Sequence, residues 1–138
     1  VDGRNDKIIP ATVATDELNR LSHAVIGAAL EVHKLIGPGF LESVYEEALC
    51  IEMRLREIDY ARQVPVPVLY KGYTVGEGRL DLLVSRCLVV ELKAVEALAQ
   101  IHAVQVLSYL KATGCRLGLL INFNVPVLKQ GVKRVIFG

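Results

Sequence analysis

The sequence predicts an α/β fold with a mixed central β-sheet flanked by helices. Two stretches of helical period precede any strand, a block of β-rich apolar segments follows, and a third helical stretch separates that block from another short apolar run. With 138 residues the chain is one domain at a prior of ~150 residues per domain. Residues 15–138 are expected to form that domain, behind a flexible lead-in over 1–14. A composition of 52% hydrophobic and 22% charged residues excludes a disordered chain.

The first helix is expected to start at Thr15 as N-cap, with Asp16 and Glu17 in the first turn where acids suit the helix dipole. Leu18, Leu21, Val25, Ala28, Val32 and Leu35 form its apolar stripe, and Gly37-Pro38-Gly39 ends it. A second helix spans about 41–57, with Leu41, Val44, Ala48, Ile51 and Leu55 on one side and Glu42, Tyr45 and Glu46 on an adjacent one. From Val64 the period becomes two. Pro65 and Pro67 mark an edge or irregular strand because they lack a donor for the ladder. Lys71-Gly72 reads as a turn and 73–75 as a short strand, loosened at Gly76 and Gly78. Then 79–84 and 88–93 make a hairpin through Ser85-Arg86-Cys87. A third helix covers 97–113, closed by Gly114. The apolar run 117–123 is a buried strand, and 132–137 adds one more.

Sixteen Lys and Arg against fifteen Asp and Glu leave a net charge of +1, so no overall field marks a polyanion or membrane binder. No apolar run reaches the ~20 residues of a membrane span, and no membrane partner is expected. Cys50, Cys87 and Cys115 form no CxxC pair. They read as buried free thiols in a reducing, cytoplasmic setting. After Glu96 there is no acid, while Lys111, Arg116, Lys129, Lys133 and Arg134 follow. These cations would hold a polyanion if the last helix, its loop and the final strand lined one rim of a site; otherwise acids folded nearby balance them.

Asp81, Glu91 and Lys93 stand inside the most apolar strands, where an ionised group is costly unless paired or metal-bound. Glu91 and Lys93 share a face by alternation. The three-residue connection pairs Val84 with Leu88 and hence Asp81 with Glu91, whereas a two-residue turn would separate the carboxylates. Two carboxylates so placed repel each other, and a hard divalent cation, Mg²⁺ or Mn²⁺, relieves the repulsion. A salt bridge from Lys93 to one acid is the plainer alternative. Gln105 and Tyr109, at i and i+4, offer an amide and a phenol on one helix face, and Glu42 and Glu46 form a like-charge i, i+4 pair. His23, His33 and His102 show no metal-ligand spacing, and His102 reads as a packed or surface residue.

Together these residues resemble a known family. Gly39-Phe40-Leu41-Glu42-Ser43-Val44-Tyr45 matches the signature of the GxxExxY proteins. Asp81, Glu91-Leu92-Lys93 and Gln105 through Tyr109 match the D, ExK and QxxxY order of the PD-(D/E)XK nuclease superfamily. The resemblance runs from about Leu18 to the C-terminus. It implies a restriction-endonuclease-like core and metal-dependent hydrolysis of phosphodiester bonds in DNA, or alternatively RNA. By resemblance, Asp81, Glu91, the Leu92 carbonyl and Glu42 hold Mg²⁺ or Mn²⁺, Lys93 orients the attacking water, and Gln105 and Tyr109 line the site. A small chain without a DNA-reading module implies a homodimer or a partner protein for further recognition surface. The alternative is a catalytically silent nucleic-acid-binding or protein-interaction module on the same fold.

Overall fold

The computed structural model describes residues 13–138. Helices α1 (Thr15–Ile36) and α2 (Glu42–Leu55) precede strands β1 (Tyr60–Tyr70), β2 (Tyr73–Val84) and β3 (Leu88–Lys93). Helix α3 (Gln100–Thr113) leads into β4 (Leu117–Asn122), and a 3-10 turn at Leu128–Gly131 feeds β5 (Val132–Ile136). The strands form one sheet in the order β1-β2-β3-β4-β5. β3 and β4 are parallel and every other neighbour pair is antiparallel. A parallel pair needs a crossover, which α3 supplies.

Alternation along the strands divides the core between the two faces of the sheet. Leu82, Val84, Leu88, Val90, Leu92, Leu119 and Ile121 pack with Val25, Ala28, Val32, Leu49 and Met53 of α1 and α2. Leu83, Val89 and Leu120 pack on the other side with Val106 and Leu110 of α3. Gly118 lets α3 approach closely, since a Cβ there would lie 2.6 Å from Val106 Cγ1. Burial on both faces explains why all six residues of β4 are buried and why it reads as an unbroken apolar run.

Several boundaries differ from expectation. The N-cap of α1 is Ala14, which makes no side-chain capping bond, and Thr15 is already helical. β1 begins at Tyr60 rather than Val64, because Tyr60, Ala61 and Arg62 pair with Val84, Leu83 and Leu82 at the apolar end of β2. β2 runs unbroken through Gly76 and Gly78, held by its ladder to β1. α3 starts at Gln100 rather than Ala97; His102 Nδ1 accepts the Ala99 N–H at 2.9 Å there, which assigns that histidine a capping role. Of the expected lead-in, residues 1–12 lie outside the described residues. Val13 packs against the core, and its carbonyl accepts a hydrogen bond from Arg116.

Candidate active site

The connection Ser85-Arg86-Cys87 carries two residues in the left-handed region, Ser85 at φ 49° and Arg86 at φ 61°. It sets the register Val84↔Leu88, Leu83↔Val89 and Leu82↔Val90. Asp81 and Glu91 come next, and there the backbone ladder between β2 and β3 ends. Side chains take over the pairing. The Asp81 N–H donates to Glu91 Oε2 at 2.8 Å, and the Leu92 N–H donates to Asp81 Oδ2 at 2.8 Å. Each carboxylate thus satisfies a backbone donor released where the strands part, which is the accounting a buried amide requires.

A second irregularity falls at the same place. β1 pairs with β2 at Arg62↔Leu82 and at Val64↔Leu80, with no pair between, and Gln63 has φ 50°. Leu80 packs with the α3 cluster while Leu82 packs with α1 and α2. Two residues two apart would share a face in a regular strand. The β1–β2 ribbon therefore changes face at Gln63 and Asp81, opening space for charged groups at the seam of two apolar layers.

The electrostatics follow from that placement. Glu91 is 5% exposed. Burial first, and then the Asp81 charge, push its pKa up to about 8, against opposing effects from the Asp81 amide and Lys93. Burial, aided by the Glu46 charge, also raises Asp81, opposed by the Leu92 amide, Gln63 and Lys93. Glu42, in the first turn of α2, is raised by burial and then by Asp81. Three acids and Lys93 therefore share one electrostatic neighbourhood. Among the described residues no salt bridge engages Lys93, so the plain strand-end ion pair is not formed.

Asp81 and Glu91 each give one oxygen to a backbone amide, Asp81 Oδ1 also meets Gln63 Nε2 at 3.5 Å, and carboxylates of this kind are the hard oxygen donors that a divalent cation takes. Among the described residues no group of three or more His, Cys, Asp or Glu side chains stands ready to hold a metal.

Glu42 owes its place to a pin beneath it. Tyr45 is fully buried, stacks on Phe123 at 4.6 Å, donates from its hydroxyl to Gly37 O at 2.6 Å and accepts the Phe40 N–H at 3.2 Å. The loop before α2 is thereby tied to the core. On the opposite face, Tyr109 lies over Gly78 of β2, where an added Cβ would meet its Cε1 at 2.7 Å. Gln105, one turn earlier, is exposed. Among the described residues, Glu46, Asp81 and Glu91 accept hydrogen bonds from backbone amides, Gln63 and Arg62, and not from Gln105 or Tyr109. Arg134 binds Ser22 and Asn19 of α1, and Arg116 binds Val13 near the start of β4, the end away from Glu91 and Lys93. These two cations do not rim the site.

Two residues enter that sequence reasoning did not assign. Glu46, 7% exposed, accepts from Arg62 Nε at 3.1 Å and Nη2 at 3.0 Å and from Gln63 Nε2 at 3.0 Å. Gln63 Nε2 also reaches Asp81 Oδ1 at 3.5 Å. The Glu42/Glu46 spacing was the sole sequence signal for Glu46; Gln63 had none.

An α/β sheet that parts at two carboxylates, with a lysine two residues along, defines a class of acid–lysine site. The family model described as the PD-(D/E)XK nuclease superfamily matches residues 19–135, and the chain belongs to that superfamily. The mixed five-stranded sheet with flanking helices is consistent with its restriction-endonuclease-like core. No curated protein and no solved structure matches the chain. No helix among the described residues is long and apolar enough to cross a membrane.

Proposed function

We propose that the chain is a nuclease of the GxxExxY type that hydrolyses phosphodiester bonds of DNA, or alternatively RNA, with Mg²⁺ or Mn²⁺. The observation that carries this reading is the meeting of Asp81 and Glu91 at the strand split, with Lys93 within electrostatic reach of both and, among the described residues, in no salt bridge. Asp81 and Glu91 would hold the cation, with the Leu92 carbonyl and Glu42 as further donors. Bound there, it supplies positive charge for the phosphate oxygens. Lys93 orients the water and meets negative charge growing on the phosphate. Water forms a new P–O bond as the bond to the leaving sugar oxygen breaks. Tyr109 and Gln105 border the substrate on the α3 side. A second copy or another protein extends the recognition surface, and the three buried free thiols suit the cytoplasm.

The test is cleavage of single- and double-stranded DNA and of RNA with Mg²⁺ or Mn²⁺, beside Asp81→Asn. Activity is expected to fall at least a hundredfold in the variant, and equal residual cleavage would assign it to a contaminant. A second reading, a catalytically silent binding module, draws on the lack of a ready cluster of three metal-binding side chains among the described residues. Calorimetry separates the two, since no heat of binding at millimolar Mn²⁺ favours the silent module.

A further inference from the structure

We propose that Gln63 is a positioning residue whose side-chain amide, braced by Glu46, sets the direction of the Asp81 carboxylate. This inference rests on the hydrolase reading of the same site and adds a part to it.

The first support is the backbone. Gln63 sits at φ 50°, a region that non-glycine residues other than Asn and Asp seldom occupy because of its steric cost. A glycine would fit there without that cost, so the side chain needs a reason to be kept. The second support is what the conformation does with the side chain. Val64 and Val66 turn to the α3 face, while Gln63 Nε2 turns toward Glu46 of α2, at 3.0 Å from Oε1 and 3.2 Å from Oε2, and toward Asp81 Oδ1. A primary amide has two N–H groups, and here the nitrogen faces two carboxylates.

The third support is the brace. Glu46 is nearly buried and held by two nitrogens of Arg62, whose Nη1 also binds Glu47 at 3.1 Å. A linked series therefore runs from Arg62 through Glu46 and Gln63 to Asp81, whose other oxygen accepts the Leu92 N–H. Asp81 is addressed at both oxygens, which fixes the plane of its carboxyl group. The 3.5 Å reach to Oδ1 is long for a hydrogen bond and is the weakest link of the series. A neutral donor at this point also separates the charges of Glu46 and Asp81, which a carboxylate there would not.

The experiment uses Gln63→Gly, which relieves the backbone and removes the amide, with Gln63→Asn as a second variant that tolerates the left-handed backbone on a shorter arm. Both are expected to melt no lower than the parent. In the metal-free proteins the Leu92 amide resonance should shift and its solvent exchange should quicken, reporting a loosened Asp81. Mn²⁺ affinity by calorimetry should fall about tenfold, with kcat reduced and KM for the nucleic acid little changed. The proposal is overturned if either variant leaves the Leu92 amide unchanged. It is equally overturned if the parent binds Mn²⁺ and the variants bind it within twofold. A parent that binds no Mn²⁺, with a Leu92 amide that still moves in both variants, retains Gln63 as the support of Asp81 and removes the hydrolase reading instead.

Discussion

Glu91 illustrates how one side chain couples the site to the stability of the whole protein. Its carboxyl group is raised to about 8 in the folded chain against an ordinary value of 4.5. Between those values the unfolded chain has lost the proton and the folded chain keeps it, so stability falls as pH rises. The metal-free protein should therefore resist urea better at pH 5 than at pH 9, by on the order of a few kcal/mol. Glu91→Gln should flatten that profile. A profile equally steep in Glu91→Gln would show that other groups set it, Asp81 and Glu42 being shifted in the same direction. Asp81, Glu91 and Lys93 were legible in the sequence because ionisable residues inside apolar strands stand out. The facing of the two acids was legible in the length of the 85–87 connection. Gln63 was not, since its role depends on a left-handed backbone and a contact across 17 positions of chain.

Helix α2 shows how an element is aimed. Its burial runs through Tyr45, Leu49, Cys50 and Met53, and the Tyr45 hydroxyl fastens the preceding loop through Gly37 and Phe40. The tyrosine of the Gly39-to-Tyr45 segment is thus a structural pin, and Glu42, about one turn before it, lies within electrostatic reach of Asp81 and Lys93. Tyr45→Phe should lower unfolding free energy by about 1 kcal/mol, because the half-buried Gly37 carbonyl and the Phe40 N–H lose their partner. Urea denaturation measures this directly, and an unchanged midpoint would mean that water replaces the hydroxyl. Hydrophobic period showed that the helices and the buried strands exist but not which helix faces are covered: Leu41, Val44, Ile51 and Leu55 of the expected apolar side are exposed while α2 packs through Tyr45, Leu49, Cys50 and Met53, and Leu35 of α1 and Ile101 and Val104 of α3 are exposed as well. The start of β1 and the middle of β2 were not legible, because polar and glycine-rich stretches there are held by each other across the ladder rather than by a core.

The molecule as a whole is a sheet covered by α1 and α2 on one face and α3 on the other, with charged groups admitted where β2 leaves β3 and the β1–β2 ribbon changes face. Helices on both sides were foreseeable from the order of elements. The change of face was not, because it arises from a single backbone conformation within a continuous strand. Beyond that point the ribbon continues to Tyr70 and Tyr73, and Val68, Leu69, Tyr70, Tyr73 and Val75 are exposed along it. β1 is one of the two edge strands. Its ladder to β2 continues through Pro65↔Arg79 and Pro67↔Glu77, so the donors these two residues lack are ones that would have pointed outward. Replacing both with valine should leave the fold intact and raise light scattering at high protein concentration; clear solutions of the double variant would show that the ribbon needs no such guard. Two imino acids thus act as a chain terminator for intermolecular sheet growth. Molecules crowded side by side would meet a rim that refuses to be extended.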